Sequence, residues 1–166
     1  MEHNLNNYRS YYSKETGLSI MVPSLWAWSK IGANSFRIFG LSEKGFDEYF
    51  EVYRPTMSFE KIHLKTNSLE ERKDLIGKNI TNMANEYNNF EIINENWSEK
   101  SNRALFLMDY TWIEETTGLK MHQQQAFIFE SPTNIILMNS AVIHSIKGKY
   151  LSEFSRIINS IRIINN

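Results

Sequence analysis

Five stretches decide the fold of this chain: FEIINENW (90–97), RALFLMDYTWIEE (103–115), LKMHQQQAFIFE (119–130), NIILMNSAVI (134–143) and YLSEFSRIINSIRI (150–163). The first four are rich in aromatic, β-branched and aliphatic residues. The breaks between them are short and polar: SEKSN (98–102), TTG (116–118) and SPT (131–133). Short breaks join antiparallel neighbours, because parallel strands need a crossover of a dozen or more residues. The fifth stretch changes period. Tyr150, Leu151, Phe154, Ile157, Ile158 and Ile161 recur at helical spacing, which predicts an amphipathic helix over 149–161 with Phe154 and Ile158 buried.

Working upstream, Ser68-Leu69-Glu70-Glu71 is a capping box. A Ser oxygen and a Glu three residues later can satisfy the free N–H groups of a first helical turn. Leu69, Ile76, Ile80, Met83 and Tyr87 follow at helical spacing, and Asn88-Asn89 is a stop, so a helix is predicted over 69–87. Further upstream, Lys14-Glu15-Thr16-Gly17 separates extended runs at 8–13 and 18–22 and reads as a hairpin turn. Pro23 ends the second run, and residues 24–28 are expected to form a short helical turn capped by Ser24. Runs at 36–41 and 46–53 are two more expected strands, closed by Arg54-Pro55-Thr56. The likeness of KETGL (14–18) to ETTGL (115–119) is shared turn chemistry, too short to be a repeat. The expectation is α+β: a single domain over 1–166 built as an αβα sandwich, a mainly antiparallel sheet flanked by helices.

Composition narrows the function classes. The 166 residues include 42% hydrophobic and 13% aromatic residues, enough to bury a sizeable core and unlike a disordered chain. Net charge is −1 with no Lys/Arg block, so the electrostatic footprint of a nucleic-acid binder is missing. With no cysteine, thiolate catalysis, disulfides and zinc–thiolate sites are excluded. No stretch reads as a signal peptide or a membrane span. The expected location is cytoplasmic, with export only if a signal has been removed.

Catalytic motifs are missing as well. His3, His63, His122 and His144 form no HExxH pattern, and Gly40 and Gly45 have P-loop spacing but are followed by Phe46 and Asp47. No motif calls for a cofactor. One constellation carries chemistry. If Glu114 pairs with Leu119 across the TTG turn and Trp97 with Arg103 across SEKSN, then Glu91, Asp109, Thr111, His122 and Gln124 share one sheet face. Two carboxylates beside a histidine can bind a cation or work as acid and base. The plainer reading is a polar, partly solvated end of the sheet. The opposite face then carries Phe106, Met108, Tyr110, Trp112, Met121 and Phe127, read either as core under a helix or as a groove for a partner.

The run Glu15-Thr16-Gly17-Leu18-Ser19-Ile20-Met21-Val22-Pro23, followed by Trp26, resembles the opening of PsbP-like and DcrB-related domains. So do the strand ending at Tyr110-Thr111-Trp112, the strand Gln123-Gln124-Gln125-Ala126-Phe127, and a last helix closing on Ser160-Ile161-Arg162. The resemblance implies an αβα sandwich. It also implies a superfamily of binding and assembly proteins that includes a photosystem II extrinsic subunit, a Ran-binding import factor and effector chaperones. It supplies no catalytic residue to carry over. The expected function is a non-enzymatic protein-binding module, adaptor or chaperone-like, using Trp28, Tyr110, Trp112 and Met121, with a second copy of the chain as one candidate partner. The alternative is a metal- or small-ligand-binding protein, possibly hydrolytic, using Glu91, Asp109 and His122.

Overall fold

The computed structural model describes residues 7–40, 54–65, 68–100, 103–131 and 133–164. The strand expected over 46–53 lies outside them. The described residues form ten strands and two α-helices: β1 Tyr8–Ser13, β2 Leu18–Pro23, β3 Ala27–Gly32, β4 Ser35–Phe39, β5 Thr56–His63, α1 Leu69–Glu86, β6 Glu91–Lys100, β7 Arg103–Ile113, β8 Lys120–Phe129, β9 Asn134–Ile143, α2 Lys147–Ser160 and β10 Arg162–Ile163. A 3-10 turn, His144–Ile146, leads into α2.

Seven strands make one antiparallel sheet in the order β3-β4-β5-β9-β8-β7-β6. The α+β architecture with a sheet between helices is therefore the observed one. Helix α1 carries the chain from β5, in mid-sheet, to β6 at the far edge. Its Ile76 and Met83 pack on Phe106, Met108, Tyr110, Phe127, Phe129 and Ile135. The other face of the sheet meets two things at once. One is α2, through Phe154, Ile157 and Ile161; the other is a small sheet ordered β1-β2-β10. That small sheet departs from the expectation of one sheet between helices: the first hairpin leaves the main sheet and packs over it with Leu18, Ile20 and Val22 buried.

The helix signals read correctly. The Ser68 Oγ accepts from the Glu71 N–H at 3.2 Å, and Asn89 takes a left-handed φ of 52° after α1 ends. In α2 the phase differs slightly from expectation. Phe154 and Ile157 are fully buried, whereas Ile158 is only half-buried. Both TG turns share one mechanism. Gly17 and Gly118 have φ of 72° and 71°, a conformation that glycine adopts without a Cβ clash. Their N–H groups bond Ser13 O and Glu114 O, each at 2.8 Å. The preceding Thr16 and Thr117 Oγ1 atoms accept from the Leu18 and Leu119 N–H, each at 3.3 Å.

The helical turn expected at 24–28 is replaced by a tight turn, with the Trp26 N–H on Pro23 O at 2.9 Å, followed by strand β3. Trp26 turns into the core, its ring edge-on to Phe154 with centroids 6.2 Å apart. A Cβ on Gly40 would stand only 3.2 Å from that indole, so the glycine lets the backbone pass beneath the ring.

Candidate functional site

The β7–β8 hairpin holds the expected register: Trp112 faces Met121, Thr111 faces His122, and Asp109 faces Gln124. The β6–β7 pairing differs. Both strands run on to Lys100 and Arg103, so Trp97 lies opposite Phe106 rather than Arg103. A bulge between Ile92 and Asn94 then leaves Glu91 opposite Thr111. The extra paired residues shift the register by three, and the bulge returns one of those places. Glu91 still lies on the Thr111 side of the sheet, but it is exposed on the edge strand.

Asp109 and His122 do come together, with His122 Nε2 and Asp109 Oδ1 3.3 Å apart. Among the described residues no group of three His, Cys, Asp or Glu could hold a metal ion. Around the pair lies a buried polar row. Asp109 lies opposite Gln124 and Gln124 opposite Ser140, on three adjacent strands. His122 Nδ1, Gln124 Oε1 and Ser140 Oγ are all buried without a hydrogen-bond partner. A nucleophile works when its base lies within hydrogen-bond reach. His122 Nδ1 and Ser140 Oγ are both unpartnered, so Asp109, His122 and Ser140 form no assembled triad. His144 stacks on His122 with ring centroids 5.8 Å apart. Its pKa is pushed down by burial first, then by Lys147, Lys120 and His122.

The expected partner-binding residues separate into two kinds. Tyr110 is 1% exposed and Met121 4%; both belong to the interior, because their strand positions face α1 rather than solvent. Tyr110 hydrogen-bonds Tyr87, and burial together with that neighbour raises its pKa. Trp112 is half-buried and stacks on Tyr87 at 4.7 Å. Trp28 is 51% exposed and lies on β3, a terminal strand of the seven-stranded sheet. Its ring packs on Tyr11 at 4.8 Å, Tyr11 packs on Phe36 at 5.2 Å, and Phe36 stacks on Phe59 at 5.0 Å. An exposed indole is thus held by a run of rings that ends in the core. Leu25 and Ile31, on either side of it in sequence, are also exposed. Sequence reasoning missed them because 24–28 read as a helical turn. The signal was present in Ala27-Trp28-Ser29-Lys30-Ile31, bounded by Gly32-Ala33-Asn34. The other edge strand, β6, exposes Ile93 and Trp97.

No family model matches the sequence, and no curated protein sequence does. Solved structures do match the fold. The chain is similar to cyanobacterial PsbP (CyanoP) from Synechocystis sp. PCC 6803, with a TM-score of 0.68 at 10% identity, covering 98% of this chain and 96% of that one. It is similar to the Ran-binding protein Mog1p of Saccharomyces cerevisiae, with a TM-score of 0.60 at 9% identity over 96% of each chain. It is also similar to LpqN of Mycobacterium tuberculosis, involved in cell envelope biogenesis, with a TM-score of 0.62 at 10% identity over 96% of this chain and 91% of LpqN. The fold is that of the PsbP and Mog1 group.

Proposed function

Starting from a chain with the PsbP and Mog1 fold, we propose that it is a non-enzymatic protein-binding module, adaptor or chaperone-like, that engages its partner at the β3 edge of the large sheet. One observation carries the reading: Trp28 is half-exposed yet held in place by Tyr11, Phe36 and Phe59. Interfaces are anchored by a few large aromatic residues, and an anchor fixed before binding loses little conformational freedom. One structural neighbour agrees with it. Mog1p is Ran-binding.

The test compares Trp28→Ser with Trp97→Ser at the opposite edge. Each variant is immobilised and exposed to lysate of the native host, and its melting temperature is measured alongside. Trp28→Ser should lose the protein that wild type captures, with affinity falling by about 2 kcal/mol or more. Its stability should fall by only about 1 kcal/mol, the worth of a surface aromatic pair. Trp97→Ser should keep the partner. Equal capture by wild type and Trp28→Ser refutes the β3 surface.

A further inference from the structure

The junction between β9 and α2 holds a cluster that protein binding leaves unused. His144 begins the 3-10 turn that leads into α2. Its N-cap is Ile143, which gives no side-chain hydrogen bond, and the first turns of the 3-10 segment and of α2 hold no acidic residue. The start of a helix carries a partial positive charge, so an imidazolium there is disfavoured from the outset. Cations surround it further. Lys147 Nζ is 3.4 Å from His144 Nε2, and Lys120 on β8 also pushes the His144 pKa down. A lysine ammonium has only donors, so the Lys147 contact is a hydrogen bond when the ring is neutral, with Nε2 accepting and the proton on Nδ1. That Nδ1 is buried without a partner. His122 stacks against the ring, and its Nε2 faces Asp109 on β7. The charged or titratable groups that these contacts place at the site are Asp109, Lys120, His122 and Lys147.

We propose that His144 is a proton-operated latch on the closing helix: neutral, it holds Lys147 and keeps the first turn of α2 joined to the 3-10 turn that packs on β8; protonated, it releases that turn. Protonation removes the lone pair that Lys147 uses and places a cation beside Lys147, Lys120 and the positive end of the helix. The sign follows from the lowered pKa. A native state that takes up a proton less readily than the unfolded chain is at full strength above the ordinary histidine range near pH 6.5 and weakens as pH falls through it. Acid therefore loosens the start of a helix whose Phe154 and Ile157 cover the core.

Amide hydrogen exchange at residues 145–151, corrected for intrinsic rates, tests this at pH 7.5 and pH 5.5. Wild type should lose protection there at the lower pH. His144→Gln should lose that pH dependence, while His63→Gln, at an exposed site bonded to Asn134, should behave like wild type. Lys147→Met keeps the imidazole and removes one cation, so the NMR titration midpoint of His144 should rise. It also serves as the reporter if His144→Gln does not fold. Wild-type protection that is the same at both pH values, pH dependence that persists in His144→Gln, or an unmoved midpoint in Lys147→Met each overturns the latch.

Discussion

Phe154→Ala measures how firmly the closing helix is fixed to the sheet. The ring is 0% exposed and belongs to the cluster that joins α2 to the small sheet and to the inner face of the large one. Returning a buried Phe to water costs roughly 1.5–3 kcal/mol by transfer alone. The cavity adds to this, and Phe→Ala changes cost about 3–5 kcal/mol in all. Three features argue for the upper half of that range. Trp26 meets Phe154 edge-on and is backed by Gly40. The Ser160 Oγ at the far end of α2 accepts from the Met21 N–H at 2.9 Å. On the α2 surface, Tyr8 bonds both Glu153 and Arg156. With α2 tied to both the core and the small sheet, little can collapse into the hole. A loss near 4 kcal/mol would lower the melting temperature by about 8–16 °C for a chain of this size. Urea unfolding at fixed pH, with an unchanged m-value, is the assay. Phe154→Leu keeps most of the volume and should cost under about 1.5 kcal/mol. A Phe154→Ala loss below 1 kcal/mol would mean that α2 is a peripheral helix.

Three further outcomes follow from particular residues. Gly118→Ala should cost about 1–2 kcal/mol from left-handed backbone strain alone, because a Cβ there meets nothing within 4 Å; thermal melts check it. Asn79→Ala should cost about 1–3 kcal/mol, since it leaves the buried Gln125 Oε1 without its donor, and chemical unfolding of Asn79→Ala beside an Asn79→Leu/Gln125→Leu pair would show the double variant recovering much of the loss. Tyr110 has its pKa raised above the ordinary 10.0 by burial first and then by Tyr87, so its contribution is present below pH 10 and is lost as pH rises beyond it; in alkaline unfolding, Tyr110→Phe should flatten that limb.

Local chemistry made most of the fold legible. Ser68 with Glu71, Asn89, and the two TG turns each act within a few residues, so their readings transferred directly to the structure. The β7–β8 register was equally readable, because one tight turn fixed by Gly118 sets every pair from Ile113–Lys120 to Ala104–Phe129. What failed depended on distance. The SEKSN break looked like a loop because Ser, Glu and Lys are polar, yet a polar residue is well placed on an edge strand facing water. Pairing continues to Lys100, and charges there discourage a further strand from adding. The hairpin of the small sheet was readable from its turn, but the sheet itself was not. Its third strand, Arg162–Ile163, pairs with Leu18 and Ser19 from the other end of the chain, and no local pattern encodes that meeting.

Glu91, Asp109, Thr111, His122 and Gln124 on β6, β7 and β8 were read as one site because they alternate on one face, and the alternation was real. Their role turns on hydrogen-bond partners supplied by other elements, which sequence does not display. On the α1 face, Gln125 bonds both Asn79 and Asn139, and a buried polar group satisfied in this way fixes where the helix sits. Elsewhere partners are missing: Gln124, Ser140, His122 and His144 keep unpaired buried atoms away from α1, and Gln123 and Trp112 keep them on the α1 face itself. Each such atom costs about 1–3 kcal/mol if it stays dry. Both faces therefore carry unpaired polar atoms, and Gln125 is the place where a buried polar side chain is tied to the helix. The last of these atoms along the chain is on His144, in the 3-10 turn that leads into α2. The proposed latch thus lies where unpaired buried atoms meet the first turn of the closing helix.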